Sequence, residues 1–99
     1  MSIEFRADAK LDAAKAAAFI EAVTKAKGWT VSETQGKKLT LRWKGEAGPG
    51  HRDDASVGIE DDSVYVAVSS GTKAQREALV THLTQFLSRL GIKSGFEEL

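Results

Sequence analysis

The sequence predicts an α+β fold in the order β-α-β-β-β-β-α, an antiparallel meander sheet with two helices packed on one face as a two-layer sandwich. Three observations carry this. Two stretches repeat apolar residues at steps of three and four, as a helix with one buried stripe does. Five short stretches alternate apolar and polar residues with period two, the mark of a half-buried strand. The last four of these are joined by connections short enough for hairpins, which favours antiparallel pairing.

The first strand is Ile3, Phe5 and Ala7 alternating with Glu4 and Arg6. Asp8 is placed to cap the helix that follows, because its carboxylate can accept from the free amides of a first turn. That helix is expected to run to about Lys27, with Ala16, Phe19, Ile20 and Val23 on one face and Lys10, Glu21 and Lys25 opposite, and Gly28 as a left-handed C-terminal cap. Trp29 and Val31 begin the next strand, and Gln35-Gly36-Lys37 reads as a turn. Leu39, Leu41 and Trp43 alternate with Thr40, Arg42 and Lys44 in the clearest period-two run of the chain. The segment 45–52 holds three glycines and the only proline, so it is read as a loop. Ala55, Val57 and Ile59 form a further strand, Asp61-Asp62 a tight turn, and Val64, Val66 and Val68 the last strand of the meander. Thr72 with Gln75 three residues on is a capping box. Leu79, Leu83, Phe86, Leu87 and Leu90 then line a helix stopped by Gly91. Residues 92–99 carry Phe96 and Leu99 among polar residues, with no periodicity that fixes this tail as docked or loose.

Bulk composition narrows the function classes. A chain of 99 residues is one domain, expected to span 1–99. Its 41% hydrophobic and 28% charged residues suit a packed globule and not a disordered chain. It has no cysteine, which excludes disulfides, thiolate nucleophiles and thiolate zinc sites. No run reaches the ~20 apolar residues needed to span a bilayer, and the N-terminus lacks the order of a signal peptide. A cytoplasmic protein with no membrane association is expected. Fourteen basic residues balance fourteen acidic ones, which counts against a nucleic-acid or anionic-membrane partner. The charges are nonetheless segregated: Lys37 and Lys38 lie in a basic window, Asp61 and Asp62 in an acidic one. Meander geometry brings these two turns to the same end of the sheet, where they compensate each other on a solvated rim.

Several groups have the chemistry of a site. His51, Arg52, Thr72, Lys73 and Arg76 gather at the opposite end, where a helix N-terminus could attract an anion. The simpler reading is a cap and a solvated loop, and the spacing is not that of a phosphate-binding Gly-Lys-Ser/Thr loop. His82 falls at the edge of an apolar stripe, where a hydrogen-bonded flank histidine is the ordinary case. With His51 as the only other histidine, no metal site is expected. Asp53-Asp54 and Asp61-Asp62 are adjacent in strands or turns, so each pair points to opposite faces and reads as turn formers and edge charges. No serine sits in a Gly-x-Ser-x-Gly elbow. The reading leans away from an enzyme, and no cofactor is implied.

Gly28-Trp29 after the first helix and Gly48-Pro49-Gly50-His51 between two strands resemble, in part, a double-stranded-RNA-binding domain. That resemblance covers the order from Ala16 to Leu90 and implies phosphate contacts from the start of the last helix. The chain departs from it in having a strand before the first helix, an additional strand after Trp29, and only Lys73 and Arg76 where that family carries a lysine cluster. Asp53-Asp54 beside the RNA-facing loop departs further.

The expected function is therefore that of a small binding or adaptor domain acting through protein contact, with another protein or with itself. Its expected interface is the polar sheet face, at Arg42, Lys44 and Tyr65, since tyrosine and arginine favour interfaces. The alternative is nucleic-acid or phosphate-ligand binding at the end formed by the 45–52 loop and the start of the last helix.

Overall fold

The structure is a computed structural model that describes residues 2–44 and 53–99. The elements are β1 (Ile3–Asp8), α1 (Ala13–Lys25), β2 (Trp29–Gln35), β3 (Lys38–Trp43), β4 (Ala55–Ile59), β5 (Ser63–Val68), α2 (Lys73–Arg89) and a two-residue β6 (Glu97–Glu98). They form one sheet in the order β2-β3-β4-β5-β1-β6, with every neighbouring pair antiparallel. The expected α+β two-layer arrangement is present. The first strand takes an interior place beside β5, and part of the tail docks as β6 on the other side of β1.

Topology explains why both helices lie on one face. Counting antiparallel steps, β1 runs parallel to β2, so β1-α1-β2 crosses over three intervening strands. β5-α2-β6 crosses over β1 in the opposite lateral direction, starting from a strand of opposite sense. Two right-handed crossovers related in that way fall on the same side of a sheet. The core is accordingly a single layer. Phe19 and Val23 of α1 and Leu79, Leu83 and Leu87 of α2 pack with Leu39, Leu41, Trp43, Val57, Val64 and Val66 from the sheet, all at most 2% exposed. Phe19 and Phe86 meet edge to face across the helices, with ring centroids 6.5 Å apart.

The ends of α1 differ from the sequence expectation. Asp8 is not its cap, because Asp8 stays in the ladder opposite Ser63 and the next amide, Ala9, donates to Asp62 O at 3.1 Å. Ala9 and Leu11 tuck into the core, and Asp12 caps instead, accepting from the Lys15 amide at 2.8 Å. At the other end the helix stops at Lys25, and Ala26 is extended rather than Gly28 left-handed. The Trp29 indole donates to Val23 O at 3.0 Å, which satisfies a last-turn carbonyl and draws the chain directly into β2. Both ends of α2 match the expectation. Thr72 and Gln75 form the capping box, and Gly91, at φ 85°, closes a C-terminal motif in which Ile92 N donates to Leu87 O at 2.9 Å.

Asp53 and Asp54 do point to opposite sides, but Asp54 is not an edge charge. It has no exposed surface. Its Oδ2 accepts from the Trp43 amide at 2.8 Å, and its Oδ1 accepts from the Ser70 hydroxyl. Its own amide donates to Leu41 O at 2.8 Å and its carbonyl accepts from Ser69 N at 2.7 Å. One residue thus joins the end of β3, the start of β4 and the connection from β5 to α2. The Trp43 indole completes the joint by donating to Ser70 O at 2.9 Å. Gly71 lies under that indole: a Cβ there would come within 2.2 Å of Nε1, and its φ of 109° is unfavourable for any side chain.

Three substitutions separate the parts of this joint. Gly71→Ala is expected to lower unfolding free energy by about 1–3 kcal/mol, from the strained φ and the displaced Trp43. Asp54→Ala strands the Trp43 amide, a loss of about 1–3 kcal/mol. Asp54→Asn keeps an acceptor for that amide, and the Ser70 hydroxyl can turn to accept, so its loss is smaller. Urea unfolding of the three variants checks both the sign and the order.

Candidate functional site on the open sheet face

Alternation in the strands sends one set of side chains into the core and the other away from the helices. The outward set includes two long rows by register, with Thr30–Arg42 and Asp8–Ser63 as shorter pairs beyond them. One long row runs Gln35, Lys38, Gly58, Tyr65, Arg6, Glu97; the other runs Glu33, Thr40, Ser56, Ala67, Glu4. Glu33 reaches this face through a bulge. The register of β2 on β3 shifts between Val31 and Glu33, so Ser32 is the additional residue. Without the shift, Glu33 would face the helix side.

Most charged groups of this face are matched within it. The Ser32 hydroxyl lies 2.6 Å from Asp53 Oδ1 and 2.9 Å from Thr40 Oγ1; its single proton goes to the carboxylate and it accepts from the threonine. Arg42 Nε donates to the same Asp53 oxygen at 3.3 Å. The Ser32 bond first, then the Arg42 guanidinium, hold the Asp53 carboxyl below its ordinary range, against a burial effect that works upward. Glu33 accepts from the Gln35 side-chain amide at 2.7 Å, and Arg6 lies 3.7 Å from Asp8. The Tyr65 hydroxyl donates to Glu4 Oε1. That bond, then burial and the negative charges of Glu4 and Glu60, push the phenol above its ordinary range.

The Tyr65–Glu4 bond has a geometric consequence. Glu4 is on β1, diagonal to Tyr65, so the ring leans toward β1 and away from β4. Gly58, its cross-strand neighbour on β4, is left uncovered: a Cβ at Gly58 would meet nothing within 4 Å. A cleft of about 370 Å³ opens there, with Gly58 and Ser56 as floor, Tyr65 on one side and Lys38 on the other, and Lys37 and Glu60 at its end. A smaller hollow lined by Glu33, Gln35, Lys38 and Thr40 adjoins it across Lys38. Gly58 is the residue that sequence reasoning missed as a site. The available signal was a glycine inside a strand pattern, which weakens a strand and often marks a close approach by another group.

The residues expected at an interface are placed unequally. Tyr65 borders the cleft. Arg42 is on the same face but held by Asp53. Lys44 is exposed just beyond β3. Of the group expected at the loop end, His51 and Arg52 lie outside the described residues. Thr72 is engaged in its cap, where its hydroxyl accepts from Gln75 N at 3.1 Å and its amide donates to Gln75 Oε1 at 2.8 Å. Lys73 lies 3.8 Å from Glu77. Arg76 is turned to a separate cleft of about 420 Å³ beside Phe5, Val80 and Glu98. His82 is exposed on α2, with Nδ1 2.8 Å from Ala78 O and its ring edge-on to Trp29 at 5.7 Å. The Lys37–Lys38 and Asp61–Asp62 turns do share one end, since Ile59 N donates to Lys37 O at 2.9 Å. Among the described residues, however, none of these four charges forms an ion pair. Nor do the described residues contain a cluster of three metal-ligating side chains or a helix long and apolar enough to cross a membrane.

No family model, curated protein or solved structure matches this chain.

Because the Tyr65 phenol is raised, its contribution to stability is fully present below the ordinary tyrosine range and is lost as pH rises through the folded value. Phenolate absorbance is expected to titrate above that of a free tyrosine. Glu4→Gln should return it toward the ordinary value. A wild-type phenol titrating at or below the ordinary value would contradict the bond.

Proposed function

We propose that this domain is a non-enzymatic binding module that meets a protein partner through the helix-free face of its sheet. The observation that carries the reading is Gly58. Its φ is not positive, so no backbone conformation requires glycine there. Its Cβ position is empty, so no neighbour requires it either. A glycine in mid-strand costs roughly 0.5–1 kcal/mol relative to a side-chain-bearing residue. Such a cost without an internal return points to a group from outside that uses the space. Tyr65 beside it supplies the large, rigid, amphipathic surface that interfaces favour.

The helix-terminus alternative has less behind it. The Thr72 hydroxyl and amide are both engaged by Gln75, and Lys73 lies against Glu77. The reading therefore rests on the sheet face and not on that end. A fully closed edge is also absent among the described residues: β2 is outermost, and the bulge and the charge of Glu33 are the features that restrain it from pairing with another strand. This favours contact through the face over strand addition at the edge.

Gly58→Val and Gly58→Trp test the proposal. The valine variant is expected to be more stable than the parent by about 0.5–1 kcal/mol, a rise in Tm of about 4–8 °C per kcal/mol. Peptides selected from a random display library on the parent domain should lose at least tenfold in affinity for Gly58→Trp. A destabilised Gly58→Val would mean that the fold itself needs the glycine. Selected peptides that bind parent and tryptophan variant equally would place the contact elsewhere.

A further inference from the structure

The cleft over Gly58 is polarised, and the polarity narrows its ligand. Its β3 side carries the ammonium groups of Lys37 and Lys38. Neither has an ion-pair or hydrogen-bond partner among the described residues, in contrast to Arg42, Arg6, Glu33 and Glu4 on the same face. Glu60 lies at the same end of the cleft as Lys37, whose carbonyl accepts from the preceding Ile59 amide. The floor is the bare backbone of Gly58, with Tyr65 and Ile59 as apolar lining. Lys38 and Tyr65 flank Gly58 in register on the two adjacent strands, so their Cα atoms are about 9–10 Å apart, two strand spacings. A slot of that width over a glycine accepts one planar ring, which can lie on the glycine backbone between the Tyr65 ring and the Lys38 ammonium. Both neighbours favour an aromatic guest, one by ring packing and the other by cation–π attraction. At about 370 Å³ the cleft is at the small end of ligand-sized cavities and suits one anchoring side chain better than a whole cofactor.

We propose that this cleft seats the aromatic side chain of an extended peptide segment whose acidic residues lie against Lys37 and Lys38. The inference rests on the sheet-face reading above and adds the chemistry of the partner. An aromatic anchor in a pocket with charges at its rim is the usual division of labour in a small interface: the anchor supplies affinity, the charges orientation. Acidic residues sit toward β3, against Lys38, and the flank that passes Glu60 is neutral or basic. The same polarity disfavours a nucleic-acid strand, because a phosphate backbone cannot avoid carrying negative charge past Glu60.

The test is titration of the isotopically labelled domain with synthetic peptides, followed by amide shifts. One peptide carries a tryptophan beside three aspartates; a second replaces the tryptophan with leucine; a third replaces the aspartates with lysines. A single-stranded oligonucleotide is the fourth probe. The first peptide is expected to shift Lys38, Gly58 and Tyr65 with half-saturation below about 1 mM. Leucine replacement, lysine replacement and the double variant Lys37→Glu/Lys38→Glu should each weaken it at least tenfold, as should raised salt for the charge contribution. Gly58→Trp should abolish the shifts while core amides such as Leu41 keep their positions, which separates a blocked cleft from a lost fold. If the first peptide leaves the face unshifted while library-selected peptides of other composition still bind it and lose to Gly58→Trp, this inference falls and the sheet-face reading stands. If no selected peptide is sensitive to Gly58→Trp, both fall. Stronger shifts from the oligonucleotide than from the acidic peptide would overturn the peptide assignment.

Discussion

The buried carboxylate of Asp54 is the constraint on which the rest of the structure depends. A carboxyl group with no exposed surface is costly unless its oxygens are hydrogen-bonded. Here its two oxygens take the Trp43 amide and the Ser70 hydroxyl, and its backbone takes Leu41 and Ser69. Those partners come from two separate places in the chain, and Asp54 itself stands at a third. Satisfying one carboxylate therefore fixes the end of β3, the start of β4 and the entry to α2 together. The Trp43 indole, seated on Gly71, seals the same end with apolar surface. Asp53, one residue earlier and ahead of β4, faces outward and engages Ser32 and Arg42, so the joint also places outward-facing groups.

A second constraint acts at the level of topology. Both crossovers lay their helices on the same side, and one layer of apolar residues suffices for the core. Among the described residues no element covers the other face. It remains in water because its charges are largely matched in place, by Asp53 for Arg42, Gln35 for Glu33 and Tyr65 for Glu4. Individually such exposed contacts contribute little, about 0–1 kcal/mol each. Their value is in orienting side chains: the Tyr65–Glu4 bond draws the ring off Gly58 and so holds the cleft open.

Much of the fold was legible because it rests on period and capping. The core residues of β3, β4 and β5 follow from alternation alone, and the Thr72 box and Gly91 are local patterns whose chemistry does not depend on the rest of the chain. The misses have a common physical origin in tertiary competition for a local group. Asp8 has the chemistry of a cap, but its backbone is taken by Ser63 in the ladder. Gly28 has the freedom of a terminator, but the Trp29 indole ends the helix earlier by accepting the task of satisfying Val23 O. The place of β1 between β5 and β6 depends on long-range pairing that no local pattern encodes. Of the site, Tyr65 and Arg42 were legible as outward residues of an exposed face. Gly58 falls on that face by alternation with Val57 and Ile59, but no local pattern marks it, because its significance lies in what does not touch it. Asp54 was not legible: with Ala55, Val57 and Ile59 inward, alternation sends Asp54 outward, and only the break in the pattern ahead of β4 turns it in.

The Asp54 end is rigid architecture, and the open face is the surface available for binding. Native-state hydrogen exchange at the Trp43 and Ser69 amides tests this most directly, since both are held by Asp54. These amides are expected to exchange only through global unfolding, with the same free energy as the slowest core amides of β3 and β5. Exchange through local opening, at a free energy well below the global value, would show that this end moves independently and would contradict its role as the fixed frame of the fold.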